Sequence, residues 1–372
     1  MVYFIAHLPY PAAGLFGISL YPNGFLNMVK IGDISLPDFP LLLAPMEDVS
    51  DPPFRVVCKA NGADLTYTEF ISCESLVKGG IKSRRKLDIF ETERPVGIQL
   101  YGGNEESMEL AAAIVDITSP DLLDINFGCP VKGIVHRGAG AGVLKDLDRM
   151  VRLTEACVRA TRLPVTVKTR LGWDDESMNI EEVALRLQDV GIQALTIHGR
   201  TRCQLYKGEA DWTLIGKVKN DPRIKIPIFG NGDIDSPQKA LEYRNRYGVD
   251  GIMIGRAAIG YPWIFREIRH YLDTGELLTG PTAAERVHVC RQHLSGALAW
   301  NGAVQGLNEM KGRYAHYLKG LPGIQEYQRR LVRLSDAEAV EEMLSEIEDQ
   351  YQGYIPATES IRLVNYHTHC AL

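Results

Sequence analysis

The chain has 372 residues, 45% of them apolar and 24% charged, and a formal net charge of −6. That is the composition of a globular protein with room for one large and one small domain. No apolar run approaches the ~20 residues of a membrane span, and the overall charge points to no nucleic-acid partner, so any such partner must be argued from local charge.

Residues 1–27 are apolar and rich in Pro and Gly, with no Lys or Arg before Lys30. A secretory signal begins with positive charge, so export is disfavoured. Met28 opens MVKIGDISL, an ordinary-looking start, and residues 1–27 are expected to be an extension outside the fold. Seven cysteines (Cys58, Cys73, Cys129, Cys157, Cys203, Cys290, Cys370) are scattered without a CxxC pair. This disfavours a zinc site or dithiol motif and fits reduced thiols in a cytoplasm. No metal is expected.

From Pro40 onward, short β-branched runs alternate with helix-like stretches. Eight strands are expected: Pro40–Met46, Asp64–Phe70, Pro95–Tyr101, Leu122–Asn126, Pro164–Arg170, Ala194–Gly199, Pro227–Gly230 and Gly251–Gly255. They are near-continuous apolar runs, as parallel strands buried on both faces are. Helix signals lie between them: Asp51 before Pro52 with Gly62 as the stop, Asn104 before EESMELAAAIV, NIEEVALRLQDV ending on Gly191, and Ser236 before Pro237. Eight β and α units over ~230 residues fit a (β/α)8 barrel, the TIM-barrel architecture. An open doubly wound sheet is the competing layout. The count of eight, with no GxGxxG after the first strand, favours the barrel.

Beyond about Pro281 the strand signal stops. Pro281–Leu334 holds eight Lys/Arg and three acids, and Ser335–Gln350 holds seven acids and no Lys or Arg. The expected organisation is a barrel over 28–280, a small all-helical domain over 281–350 with its basic charge before the last helix, and a tail over 351–372. Lys311, Arg313, Lys319, Arg329 and Arg330 are among those basic residues.

Active sites of such barrels lie at the C-terminal ends of the strands. In order, those ends carry Pro45-Met46-Glu47, Glu69, Gln99, Asn126 followed by Cys129-Pro130, Lys168 with Arg170, His198 with Arg200, Asn231-Gly232-Asp233, and Gly255-Arg256. A polar group in an apolar strand is costly unless paired. Its repetition at matching ends of most strands points to one convergent site. Glycines at the last two ends let backbone N–H groups approach a ligand, as barrel phosphate sites require, and Arg256 adds a charge there; tight turns are the bland alternative. Lys168 suits a ligand that becomes anionic, such as a reduced flavin, although an aldolase-type Schiff-base lysine fits the same placement. Cys129 precedes the glycine-rich run His136–Gly142, expected to be flexible, and is placed to donate a proton; a buried structural thiol is the alternative.

APMEDVSDPPFR, GIQLYGG, DINFGCP, PVTVKTRLGW, LTIHGRTR, GNGDI and MIGRAAIGYPWIFREI, in this order, resemble the bacterial tRNA-dihydrouridine synthases, most closely the B-type branch, over about residues 28–334. The resemblance implies a barrel binding FMN, a helical tRNA-binding domain and NADPH as reductant. It implies flavin contacts at Pro45, Met46, Glu47, Gln99, Asn126, Lys168 and His198. Phosphate-side contacts fall at Asn231, Gly232, Asp233, Gly255 and Arg256, and Cys129 becomes the proton donor to the uracil. Lys132, Arg170 and Arg200 are expected on the substrate or RNA side, as are Lys311, Arg313, Lys319, Arg329 and Arg330 of the helical domain, through phosphate contacts. Two departures stand out. Glu47 replaces the small residue of many members, and Gly133 follows Lys132 where two lysines are common. A small-molecule flavoprotein of the dihydroorotate dehydrogenase kind and a non-enzymatic RNA-binding protein remain as rival readings. The chain is expected to act as a monomer, in the cytoplasm, on tRNA.

Overall fold

A computed structural model describes residues 28–357; the expected extension over 1–27 and the end of the tail lie outside the described residues. The described residues open with an antiparallel hairpin, β1 (Val29–Ile31) and β2 (Ile34–Leu36). Eight parallel segments follow: β3 (Leu41–Leu43), β4 (Thr66–Tyr67), β6 (Val96–Tyr101), β7 (Leu122–Asn126), β8 (Val165–Arg170), β9 (Ala194–His198), β10 (Ile228–Asn231) and β11 (Gly251–Ile254). They pair in the order β3-β11-β10-β9-β8-β7-β6-β4. A parallel bridge between Leu42 and Leu65 joins β4 back to β3 and closes the ring. The barrel is therefore as expected, and the open doubly wound sheet is not what forms.

The helices start and stop where the sequence puts their caps. Asp51, Asn104 and Ser236 accept backbone N–H groups at the heads of α1 (Pro52–Ala60), α4 (Glu105–Thr118) and α9 (Pro237–Tyr247). Gly191 closes α7 (Ile180–Val190) in the left-handed region that glycine tolerates. Outward-facing strand residues such as Ile98, Leu123, Val167, Leu195 and Ile252 pack under the helical ring in one core.

Three details differ from expectation. The hairpin is a plug: Ile31 and Leu36 pack with Leu42, Tyr67, Leu122 and Phe229 across the N-terminal end of the barrel. The second strand is broken into β4 and β5 (Ile71–Ser72), because the Gln99 N–H bonds the Thr68 hydroxyl instead of a strand carbonyl. The run expected to be flexible is folded, as α5 (Lys132–His136) and a tight turn over Gly140–Lys145. A Cβ on Gly140 would stand 2.9 Å from the Cys129 carbonyl, so that glycine serves close packing over Cys129.

Past α10 (Ile264–Thr274) come α11 (Ala283–Tyr317, interrupted at Gly302), α12 (Gln325–Leu331) and α13 (Ala337–Gln350). The acidic α13 pairs with basic neighbours, Glu341 with Arg291 at 3.0 Å and Glu346 with Arg330 at 3.6 Å. These helices lean on the barrel through buried His293, which stacks near Phe54 and Tyr317 and lies 3.8 Å from Asp51.

Candidate active site

Side chains two apart on a strand share a face, so the barrel interior reads as layers. Near the floor stand Tyr67, Leu122, Ala194 and Phe229. One step up stand Gln99, Asp124 and Thr166, and at the mouth Asn126, Lys168, His198 and Asn231. The register sets Asn126 beside Lys168 and Asn231 beside His198.

The middle layer is a directed hydrogen-bond chain. Thr166 Oγ1 donates to Asp124 Oδ1 at 2.5 Å, and Gln99 Nε2 donates to Asp124 Oδ2 at 2.6 Å. Gln99 Oε1 then accepts from Asn126 Nδ2 at 2.8 Å, and Asn126 Oδ1 accepts the N–H groups of Gly128 and Cys129 at 2.9 and 2.8 Å. An ionised carboxylate is an acceptor only, which fixes the orientation of both amides above it. The chain thus holds the loop carrying Cys129. Burial pushes the Asp124 carboxyl up to about 6, leaving it ionised at neutral pH. Sequence reading placed no function on Asp124, although its spacing of two from Asn126 was the available signal.

Lys168 stands in the mouth with no hydrogen-bond or ion-pair partner among the described residues. Burial, then the Arg170 charge, lowers its ammonium to about 8, so it is still cationic at neutral pH. His198 is buried and, with Arg170, Lys168 and Arg200 around it, is held neutral, well below the ordinary histidine value. Cys129 is nearly buried (7% exposed) and packs with Ile134 and Ala139 under Phe70 and Tyr101.

Two arginines expected on the substrate side also act inside the fold. Arg170 is buried, and its guanidinium donates to the carbonyls of Gly128, Thr201 and Leu205. Arg200 is buried and makes a two-pronged pair with Asp233, at 3.0 and 2.6 Å. Both are braces between loops, because a guanidinium taken out of water needs fixed acceptors. Asp233 also takes the N–H of Ala210 and a bond from Arg256 at 3.0 Å. It therefore holds Arg256 at the rim, and burial notwithstanding, Arg200 keeps its carboxyl low. Asn231 bonds the Met253 carbonyl. A Cβ on Gly232 would strike Ala210 at 2.7 Å and His198 at 2.9 Å, whereas one on Gly255 would only touch Ala44 and Met46.

On the opposite rim, the Met46 N–H bonds Ser50 and the Asp48 N–H bonds Glu69. Lys86 lies 2.5 Å from Glu47 and 3.6 Å from Glu69. Burial, partly offset by Lys86, pushes the Glu69 carboxyl up to about 7. Pro45 and Met46 are half-buried in this turn beside Glu47.

The expected RNA-facing cations divide. Lys132 is exposed on the Cys129 loop. Arg313 is committed to the Asp48 carbonyl, Lys311 bonds Asn308 on its own helix, and Lys319 is half-buried. Arg329 and Arg330 are exposed but pair with Glu326 and Glu346. Tyr206, exposed above the mouth and close to His198, Arg170 and Arg256, was not anticipated.

The family profile described as dihydrouridine synthase matches residues 42–352. A tRNA-dihydrouridine synthase B of Pseudomonas aeruginosa is 39% identical over 314 residues, covering 84% of this chain and 94% of that protein. A probable tRNA-dihydrouridine synthase of Rickettsia conorii is 37% identical over 320 residues, covering 86% and 96%. Among solved structures, the 6-hydroxypseudooxynicotine amine oxidase of Pseudomonas geniculata N1 superposes with a TM-score of 0.53 at 12% identity. That match covers 71% of this chain and 52% of the longer one, and is a likeness of fold.

Proposed function

This chain belongs to the dihydrouridine synthase family, and on that premise we propose that it reduces uridines of transfer RNA to 5,6-dihydrouridine, with FMN held in the barrel mouth, NADPH as reductant and Cys129 as proton donor. The observation that carries the reading is one mouth holding a cation without a partner, a neutral histidine and a cysteine on a pinned loop. The family match extends through both the barrel and the helices after it, which leaves the small-molecule and non-enzymatic readings without support.

The residues present fit the cofactor. Lys168 would offer a desolvated positive charge to a flavin that gains negative charge. Gly255, where a Cβ would touch only Ala44 and Met46, leaves room for close approach, Gly232 closes onto Ala210 and His198, and Arg256, steadied by Asp233, offers charge-assisted bonds to a phosphate. Pro45, Met46, Glu47, Gln99, Asn126, His198 and Asn231 complete the ring of residues assigned to it. When bound, FMN supplies the hydride chemistry between a nicotinamide and a pyrimidine carbon.

The chain's own residues handle position and protons. A uridine must leave its stack to reach this mouth, at a cost of a few kcal/mol. Exposed cations such as Lys132 offset that through phosphate contacts, so binding weakens with salt. Asn126, oriented by Gln99 and Asp124, fixes the Cys129 loop. The Cys129 thiol donates the proton to pyrimidine C5 as general acid. The test is mass spectrometry of unmodified tRNA incubated with enzyme, FMN and NADPH: one uridine gains about 2 mass units, and Cys129→Ala loses or strongly slows that gain. Flavin reduction by NADPH with no mass gain on any tRNA would overturn the assignment.

A further inference from the structure

Beside the mouth lies a shallow, open cavity of about 480 Å³ lined by Lys132, Gly133, Val135, His136 and Arg202. Its lining holds two cations and a histidine and no carboxylate. Arg202 is the informative member. Its Nε is buried with no hydrogen-bond partner, and one Nη reaches only the Pro130 carbonyl, at 3.5 Å. The backbone is pinned on both sides of this guanidinium, the Arg202 N–H to the Gly172 carbonyl and the Cys203 N–H to the Trp173 carbonyl, each at 2.9 Å. The guanidinium lies 4.7 Å from the Trp173 ring centre, which Lys145 approaches at 3.7 Å. Among the described residues no carboxylate pairs with Lys132, Lys145 or Arg202. A buried N–H without an acceptor is destabilising, and gathered like charges repel. An anion in the cavity relieves the repulsion among these gathered cations.

We propose that this cavity is a phosphate subsite, with Arg202 and Lys132 as its binding groups. It would hold the phosphate of a substrate whose reacting ring stands at Cys129, one residue before Pro130. Arginine's planar fork matches pairs of phosphate oxygens. The proposal rests on the tRNA-reduction reading, which offers two sources of that chemistry: a phosphodiester of the RNA strand and a phosphate of the nicotinamide dinucleotide.

Two arms separate them. In the first, unmodified tRNA is titrated onto flavin-loaded enzyme from about 50 to 200 mM salt. An RNA phosphate makes Arg202→Gln weaken binding about tenfold and lower the salt slope by about 1. Gly133→Lys should do the reverse, because a Cβ there meets nothing within 4 Å. In the second arm, anaerobic flavin reduction is followed against NADPH concentration. A dinucleotide phosphate makes Arg202→Gln raise the half-saturating concentration about tenfold and leaves tRNA binding alone. A change in either arm supports the subsite and names its ligand. Unchanged behaviour of both variants in both arms, with melting as in the wild type, overturns it. Failure of the wild-type protein itself to bind tRNA would instead overturn the functional reading, and shows before any variant is compared.

Discussion

The two ends of the barrel are built from the same eight strands and have opposite chemistry. At the floor, interior side chains are Leu42, Leu65, Tyr67, Leu122 and Phe229, closed from below by the hairpin residues Ile31 and Leu36. At the mouth, the same faces carry Asn126, Lys168, His198 and Asn231. Between them Gln99, Asp124 and Thr166 form a buried polar layer whose hydrogen bonds run upward to Cys129. The difference teaches that the floor supplies cohesion, which lets the mouth keep a desolvated cation without a partner. Stability at one end and chemistry at the other is the general division of labour in this architecture.

The sharpest test removes chemistry from the mouth without touching cohesion. Cys129→Ala should slow dihydrouridine formation by about 10² to 10⁴, with tRNA affinity and melting unchanged; a slowing of less than tenfold would assign the proton to another group. Its counterpart at the floor is Phe229→Ala, expected to cost about 3–5 kcal/mol in denaturant unfolding by opening a cavity among buried neighbours. If the two variants proved equally destabilising, the two ends would not be divided as described.

The layer between them is probed by Asp124→Asn. An amide can donate where the carboxylate only accepts, so the orientation of Gln99 and Asn126 is no longer fixed. Turnover should fall about tenfold, the equivalent of ~1.4 kcal/mol for one misdirected buried hydrogen bond. The wild-type rate should show an acid limb near pH 6, where Asp124 takes up a proton, and the variant should lack it. Persistence of that limb in the variant assigns it elsewhere.

Lys168 gives a smaller signal. Its ammonium is lowered to about 8, so FMN affinity of the flavin-free protein should decline as pH rises through that value, read by flavin fluorescence quenching. Lys168→Gln should bind more weakly and without that break. Glu69 is smallest. Its carboxyl is raised to about 7 from an ordinary 4.5, so the folded state favours the protonated form. Stability from this group is full below about 4.5 and is lost as pH rises through about 7. Glu69→Gln should flatten the melting temperature over that window, and an unchanged slope would remove Glu69 as its source.

Much of the mouth was legible because strands and helix caps are local signals. Asp51, Asn104 and Ser236 cap where their side chains reach the next free N–H groups. Once the strands were placed, the C-terminal-end rule put Gln99, Asn126, Lys168 and His198 in one place. The roles of the cations were less legible. Arg170 and Arg200 read as substrate-facing, and both also brace loops through partners from distant segments such as Thr201 and Asp233, which no local pattern shows. Arg313 likewise serves the Asp48 carbonyl across the junction with the helices. Arg202 and Tyr206 lay in a stretch already noted for His198 and Arg200, and nothing local marked them.

By itself the sequence determined the alternation of strands and helices, the caps, the polar strand ends and the order of motifs that marks the family. All of these depend on neighbours within a few residues or on a period of two along a strand. Tertiary structure alone decided which end the hairpin closes, how Asp124 connects to Cys129, which arginines brace and which are left to bind, and that Arg202 faces a cavity beside Lys132. The reason is physical. Whether a buried charge is structural or functional depends on whether the fold brings an acceptor within hydrogen-bond reach, and such acceptors come from parts of the chain far apart in sequence.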